Sequence, residues 1–315
     1  MKTKDILILS MVKGVGPATI KKNIQKLKSD IDLHDLVREL KPEELENISA
    51  YEVEAENIIS ICQNEDIEII DITSLSYPSL LIEISNPPAI LYVKGNKKLL
   101  ENVIAIIGTR HSTDLGNRIA ERLGWYFSQR LAICNGLVEG IDEHSIYING
   151  NIVPNAIGII SGGLCYKYTC SQRHIRVIED VLKTGGLIIS EFPPMKKEDQ
   201  YSGSISSRIQ AGLSSGIILV QSKIDGGSKY TLDKFVKLGR VVGIVHFPRD
   251  PEYQDDVFGA NRLIISEGER GLAKFVGLKT NKTLNIRGII PIRGKDDYKL
   301  FEENLVLQSV QPNLF

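Results

Sequence analysis

At 315 residues the chain is long enough to bury one large α/β domain together with a smaller one. Its apolar share of 42% and charged share of 24% are those of an ordinary globular protein, and 38 basic against 39 acidic side chains leave a net charge of −1. That balance excludes a surface coated in positive charge, so any nucleic-acid site must be a local patch. The sequence shows no apolar run of about 18 residues and no export signal, so a cytoplasmic protein without membrane contact is expected.

Residues 1–75 carry helical spacing: Leu7, Ile8 and Met11, then Ile20, Ile24 and Leu27, recur at intervals of three and four. Between the first two helices stands Lys13-Gly14-Val15-Gly16-Pro17-Ala18-Thr19. Its glycines suit a tight turn, and Pro17 suits the first position of a helix, where its missing N–H costs nothing. Such a hairpin directs free backbone N–H groups outward and is similar to the helix-hairpin-helix element of DNA-binding proteins. A small helical domain of helix-hairpin-helix or SAM-like type is expected over residues 1–75; a turn that merely joins two helices is the plainer alternative.

From residue 103 short β-branched runs alternate with helix-like stretches. The runs are Val103–Ile107, Leu131–Cys134, Ala156–Ile160, Gly186–Ile189, Gly216–Val220 and Val241–Val245. Continuous rather than alternating apolar runs mark strands buried on both faces. The expectation is an α/β fold, a doubly wound Rossmann-like parallel sheet over residues 76–280, followed by a tail of mixed charge at 281–315. The strand ends carry Gly108-Thr109-Arg110, Asn135-Gly136-Leu137, Ser161-Gly162-Gly163, Ser190-Glu191-Phe192 and Gln221-Ser222. Small polar residues at carboxyl ends of parallel strands let backbone donors approach an anion, which points to a phosphate- or nucleotide-binding edge. Glycines there also serve turns and close helix packing, so Gly162 and Gly163 weigh only through their company.

Cys62, Cys134, Cys165 and Cys170 have no close spacing, and neither a zinc site, a disulfide framework nor a cofactor is expected. No GxGxxG follows the first strand of the sheet, and no Walker motif is present.

The order of these motifs resembles the DprA/Smf family. Tyr77-Pro78 and Asn86-Pro87-Pro88-Ala89-Ile90-Leu91-Tyr92-Val93-Lys94-Gly95 look like its lead-in, and Ile107-Gly108-Thr109-Arg110 with Gly116 like its opening turn. Asn135-Gly136-Leu137 with Gly140-Ile141-Asp142, Gly162-Gly163-Leu164, Ser190-Glu191-Phe192-Pro193, Arg208 with Ala211-Gly212-Leu213-Ser214, Gly227-Ser228 and Asn261-Arg262 continue the series over about residues 77–270. The chain departs where the family has Phe-Pro-x-Arg-Asn-Arg, since Ser206-Ser207-Arg208 lacks one arginine and the asparagine, and where Cys165 replaces an aspartate.

The resemblance implies a non-enzymatic protein that binds single-stranded DNA without sequence preference and loads RecA recombinase, in natural transformation or related DNA processing, as a homodimer. Arg110 is the first expected phosphate contact, supported by Gly108 and Thr109, since a guanidinium grips a phosphate with two parallel bonds. Asn135, Gly136, Gly162 and Gly163 are expected in the same pocket. Lys167, Arg208 and Lys229 stand beside family motifs and read equally as contacts or as surface charge. Asp142 and Glu191 are expected to orient Arg110 or cap helices. The closing Gln311-Pro312-Asn313-Leu314-Phe315 resembles a peptide that docks on the β sliding clamp, through Gln311, Leu314 and Phe315. The competing reading is a nucleotide sensor or nucleotide phosphoribohydrolase on the same fold, in which Arg110 and Glu191 would act together on a ribose phosphate.

Overall fold

The computed structural model describes residues 1–199, 202–278 and 283–306, with the side chains of 202–205 set aside. Helical spacing in the first segment resolves into α1 (Thr3–Met11), α2 (Pro17–Lys22), α3 (Ile24–Leu27), α4 (Leu33–Leu40) and α5 (Ile48–Asn64). Ile6, Leu9, Ile20, Leu36 and Ile58 close their shared core. Gly14 takes φ +83° in the turn after α1, a left-handed value that suits glycine, and Pro17 opens α2.

The same segment also supplies a strand. β1 (Glu68–Asp71) pairs antiparallel with β2 (Ile90–Gly95), joining the helical unit to the main sheet through α6 (Ser79–Ile82) and the lead-in. Two polar ties reinforce the junction: Thr3 Oγ1 donates to Asp71 Oδ2 at 2.7 Å, and Lys21 Nζ to the Ile84 carbonyl at 2.7 Å.

The chain then runs through β3 (Val103–Ile107), α7 (Asp114–Phe127), β4 (Ala132–Asn135), α8 (Ile141–Ile146), the hairpin β5 (Tyr147–Ile148) and β6 (Asn151–Ile152), and β7 (Ala156–Ile159). It continues with α9 (Tyr166–Thr169), α10 (Gln172–Lys183), β8 (Leu187–Ser190), α11 (Ser202–Leu213), β9 (Gly216–Leu219), α12 (Ser228–Phe235) and β10 (Arg240–Val245). Last come α13 (Gly259–Glu267), α14 (Glu269–Val276), β11 (Ile286–Ile292) and α15 (Lys295–Glu303). The nine-stranded sheet has the order β1-β2-β8-β7-β4-β3-β9-β10-β11, and β2 runs against both its neighbours while β8 through β11 are parallel. This is the doubly wound arrangement that the continuous apolar runs predict, and its burial explains them. Ile104 and Ile106 of β3 enter one core layer, whereas Ala105 and Ile107 enter the other, so no position of the strand is left for a polar residue.

The segment read as a tail adds to this sheet. β11 lies parallel to β10, with Val242 opposite Ile289 and Ile244 opposite Pro291, and α15 packs back so that Phe301 and Leu305 meet Gly216. Pro291 is tolerated because β11 is an edge strand. Residues 311–315, with the clamp-like peptide, lie outside the described residues. No described helix is long and apolar enough to cross a membrane.

Candidate functional site

Sheet order creates the site. From β3 the chain steps outward through β4, β7 and β8, then returns to place β9, β10 and β11 on the other side of β3. The β3–β9 boundary is therefore the switch point, where the loops leaving two neighbouring strands diverge and open a crevice at their carboxyl ends.

One wall of the crevice is the loop from Gly108 to Thr113. The Thr109 N–H donates to the Gln221 carbonyl at 2.8 Å, tying the loop to the end of β9. Gln221 Oε1 then accepts from the Thr113 N–H at 3.0 Å, and its Nε2 donates to Thr113 Oγ1 at 2.9 Å. Thr113 in turn caps α7, accepting from the Gly116 N–H. Gly116 is needed for this: a β-carbon there would stand 2.3 Å from Gln221 Oε1. A buried glutamine thus fixes the loop, and the Arg110 side chain at its tip is exposed and makes no ion pair or hydrogen bond among the described residues.

The floor is the turn after β4. Gly140 approaches the Arg110 loop so closely that a β-carbon would lie 2.4 Å from the Thr109 carbonyl oxygen and 2.6 Å from that of Arg110, and its φ is +78°. The Gly136 N–H donates to Asp142 Oδ2 at 2.9 Å. Burial pushes the Asp142 carboxyl up to about 7, against the opposing pull of that N–H and of the positive charge of Arg110. Leu137 holds φ +55°, uncommon for a branched residue, and its N–H bonds Asn135 Oδ1 at 2.9 Å. Arg173 clamps the turn from α10, donating to the Leu137 carbonyl and pairing with Glu143 and Glu139. Sequence reasoning gave neither Gln221 nor Arg173 a place in the site. Gln221 stands at a strand end that the pattern marked, whereas Arg173 sits on a helix with no motif.

The opposite wall is the start of α12, after Lys223 and the Gly226-Gly227 pair. Lys229 is half-buried, its Nζ 5.5 Å from the centre of the exposed Tyr230 ring, and Lys223 is exposed. Asn261 braces this wall: its Oδ1 accepts from the Ser222 N–H at 3.1 Å and its Nδ2 donates to the Val220 carbonyl at 3.0 Å.

Several expected contacts fall elsewhere. Asn135 is fully buried, with Nδ2 donating to the Asp142 carbonyl and Ser145 Oγ, so it builds the turn from beneath and does not line the crevice. Arg208 is buried and grips Glu191 with both terminal nitrogens, at 2.5 and 2.6 Å, while its Nε donates to the Asn86 carbonyl at 3.1 Å. Glu191 therefore partners Arg208 and has no bond to Arg110 among the described residues. Gly162 and Gly163 are buried under the segment after β8: a β-carbon on Gly163 would stand 2.1 Å from the Pro193 carbonyl oxygen, and its N–H already donates to the Lys196 carbonyl at 2.7 Å. Close packing explains both. Lys167 is exposed on α9, in the segment that follows β7, a strand two places from β3 in the sheet. The structure thus gathers Gly108, Thr109, Arg110 and Gly136 at one crevice, sets Lys223 and Lys229 on the segment that leaves the neighbouring strand β9, and leaves Lys167 to the side. Among the described residues no cluster of ligand side chains could hold a metal ion.

Comparison with known proteins gives this geometry a context. The family described as DNA recombination-mediator protein A matches residues 68–277. DNA processing protein DprA of Bacillus subtilis (strain 168) is 32% identical over 194 residues, which cover 59% of this chain and 62% of that protein; the chain thus spans about three fifths of that relative's length. In fold the chain is similar to the X-ray structure of DNA processing protein A from Streptococcus pneumoniae, with a TM-score of 0.69 and 22% identity over 85% of this chain and 93% of the other. It is also similar to DNA processing protein A from Helicobacter pylori, whose structure describes a single-stranded DNA binding mode, with a TM-score of 0.55 and 22% identity over 64% and 87%.

Proposed function

Since the chain belongs to the DNA recombination-mediator protein A family, we propose that it binds single-stranded DNA in the switch-point crevice without reading sequence, and that it catalyses nothing. The observation that carries this reading is Arg110: an exposed guanidinium, without an ion pair among the described residues, held at the carboxyl end of the central strand by a braced loop. The backbone N–H groups of Arg110 and Ser112 likewise have no partner among the described residues, which leaves donors available on the same loop. A phosphate takes two parallel bonds from the guanidinium, with Lys223 and Lys229 across the crevice as further point charges and Tyr230 as a stacking face. The likeness to the Helicobacter pylori protein and the family membership support the same substrate.

The phosphoribohydrolase alternative needs a carboxylate beside Arg110. Glu191 is committed to Arg208, and Asp142 is largely spent on the Gly136 turn, which disfavours hydrolysis. Loading of RecA recombinase and assembly as a homodimer belong to the same proposal and follow from family resemblance; docking of Gln311, Leu314 and Phe315 on the β sliding clamp rests separately on the likeness of the closing peptide to clamp-docking peptides.

The test is binding of a labelled single strand against the same duplex over a salt series. Preference for the single strand, weakening with salt and lost in Arg110→Ala, supports the proposal. Absence of binding at low salt overturns it, and a nucleotide that raises the melting temperature instead would establish the sensor reading.

A further inference from the structure

α7 leaves the crevice with one face in solvent, and on that face Arg118, Arg122 and Trp125 follow at intervals of four and three residues. The C-terminal strand and helix bring Arg293 and Lys295 to the opposite side, and the space between encloses a cavity of about 660 Å³. Tyr126 and Tyr298 line it, their ring centres 5.1 Å apart. None of the four cations makes an ion pair or a side-chain hydrogen bond among the described residues, and the one carboxylate on the lining, Glu121, is held by His144 at 3.0 Å. Trp125 stands at the mouth, 56% exposed.

Four unpaired cations facing one cavity repel each other and add nothing to the stability of a chain whose net charge is −1. A polyanion relieves that repulsion and releases its own counterions. An indole left in water beside them offers a face on which a base of any identity stacks. Phosphates and stackable bases at short repeat are the chemistry of single-stranded nucleic acid, whereas an acidic polypeptide uses the cations and leaves the indole idle. Position agrees: Arg122 is eight residues along α7 from Asp114 at the crevice, or about 12 Å.

We infer that this groove is a second subsite for single-stranded nucleic acid, taking phosphates on Arg118, Arg122, Arg293 and Lys295 and a base on Trp125. It rests on the single-strand reading of the crevice and extends it to a strand that leaves along α7. Arg293 and Lys295 lie beyond residue 277, where the family match ends, so this part of the path is built by the chain's own last strand and helix.

Trp125 is the only tryptophan of the chain, so indole emission reports this groove alone. The intact protein is titrated with oligothymidylates of about 6 and about 20 nucleotides, following anisotropy of a labelled strand for binding anywhere and emission of Trp125 with unlabelled strand for the groove. The longer strand is expected to quench Trp125. Arg122→Ala with Arg293→Ala is expected to weaken the longer strand roughly tenfold and lower its salt slope by about 1.4, while the shorter strand binds as before. Both positions are exposed, and an unchanged melting temperature confirms folding. Arg110→Ala weakens both strands. Binding of the longer strand with silent Trp125 emission and no effect of the double variant overturns the groove alone. Failure of the wild type to bind either strand overturns the crevice and the groove together. Quenching by polyglutamate as strong as by the oligonucleotide overturns the nucleic-acid assignment in favour of an acidic protein partner.

Discussion

Arg208 and Glu191 face each other as a two-pronged ion pair at the end of β8, their side chains only 9% and 11% exposed. A buried pair of this kind contributes little beyond what well-packed apolar residues would, yet removing one partner strands the other charge in a poor solvent. Arg208→Ala is expected to cost about 3–5 kcal/mol in a denaturant titration, and Arg208→Met with Glu191→Met to recover most of that loss. Affinity for single-stranded DNA well below the melting temperature should stay at the wild-type level in the double variant. A stable Arg208→Ala that has lost DNA would return this arginine to the binding site.

Gly140 tests how far the Arg110 loop depends on its floor. Its positive φ and the carbonyl oxygens of Thr109 and Arg110 leave no room for a β-carbon. Gly140→Ala should therefore destabilise the fold by about 1–3 kcal/mol and, below its melting temperature, weaken DNA binding by displacing the loop. Wild-type affinity in a folded Gly140→Ala protein would show that the loop position does not matter.

Asp142 makes two pH dependences. Burial raises its carboxyl from 3.8 to about 7, so between those values the native chain holds a proton that the unfolded chain has released. Stability from this group is complete below about pH 4 and declines as pH rises to about 7. A phosphate beside Arg110 further disfavours the Asp142 anion, so binding takes up protons and affinity should fall from about pH 6 to about pH 8. Asp142→Asn should flatten both dependences. Slopes that persist in this variant would assign them to another group.

Arg110 has a signature apart from affinity. Loss of one phosphate contact on a single strand lowers the slope of log affinity against log salt by about 0.7. Arg110→Ala should show that change equally for oligothymidylate and mixed-sequence strands, because a phosphate contact carries no base information. An effect confined to one sequence would mean that Arg110 reads a base.

The central strands were legible because each is buried on both faces, so runs such as Val103–Ile107 carry no polar interruption. β11 was not, for the opposite reason: an edge strand half-open to water tolerates Arg287, Gly288 and Pro291, and the run no longer reads as a strand. Within the site, Arg110 and Gly136 stood out from position alone. Asn135 beside its glycine turn and Arg208 within α11 are misread in sequence because a polar residue next to a motif looks the same whether it faces a ligand or satisfies a buried partner. Only the fold separates the two, as it alone brings Arg173 from α10 to the Leu137 carbonyl.

β1 belongs in sequence to the helical segment but hydrogen-bonds along β2, whose Ile90, Leu91, Tyr92 and Val93 are all buried. A protein shortened to begin after residue 75 would present that apolar strand with a row of open backbone donors and acceptors, a template for pairing with other copies. The N-terminal unit is thus also a guard against self-association. Its removal is expected to make the rest of the molecule aggregate.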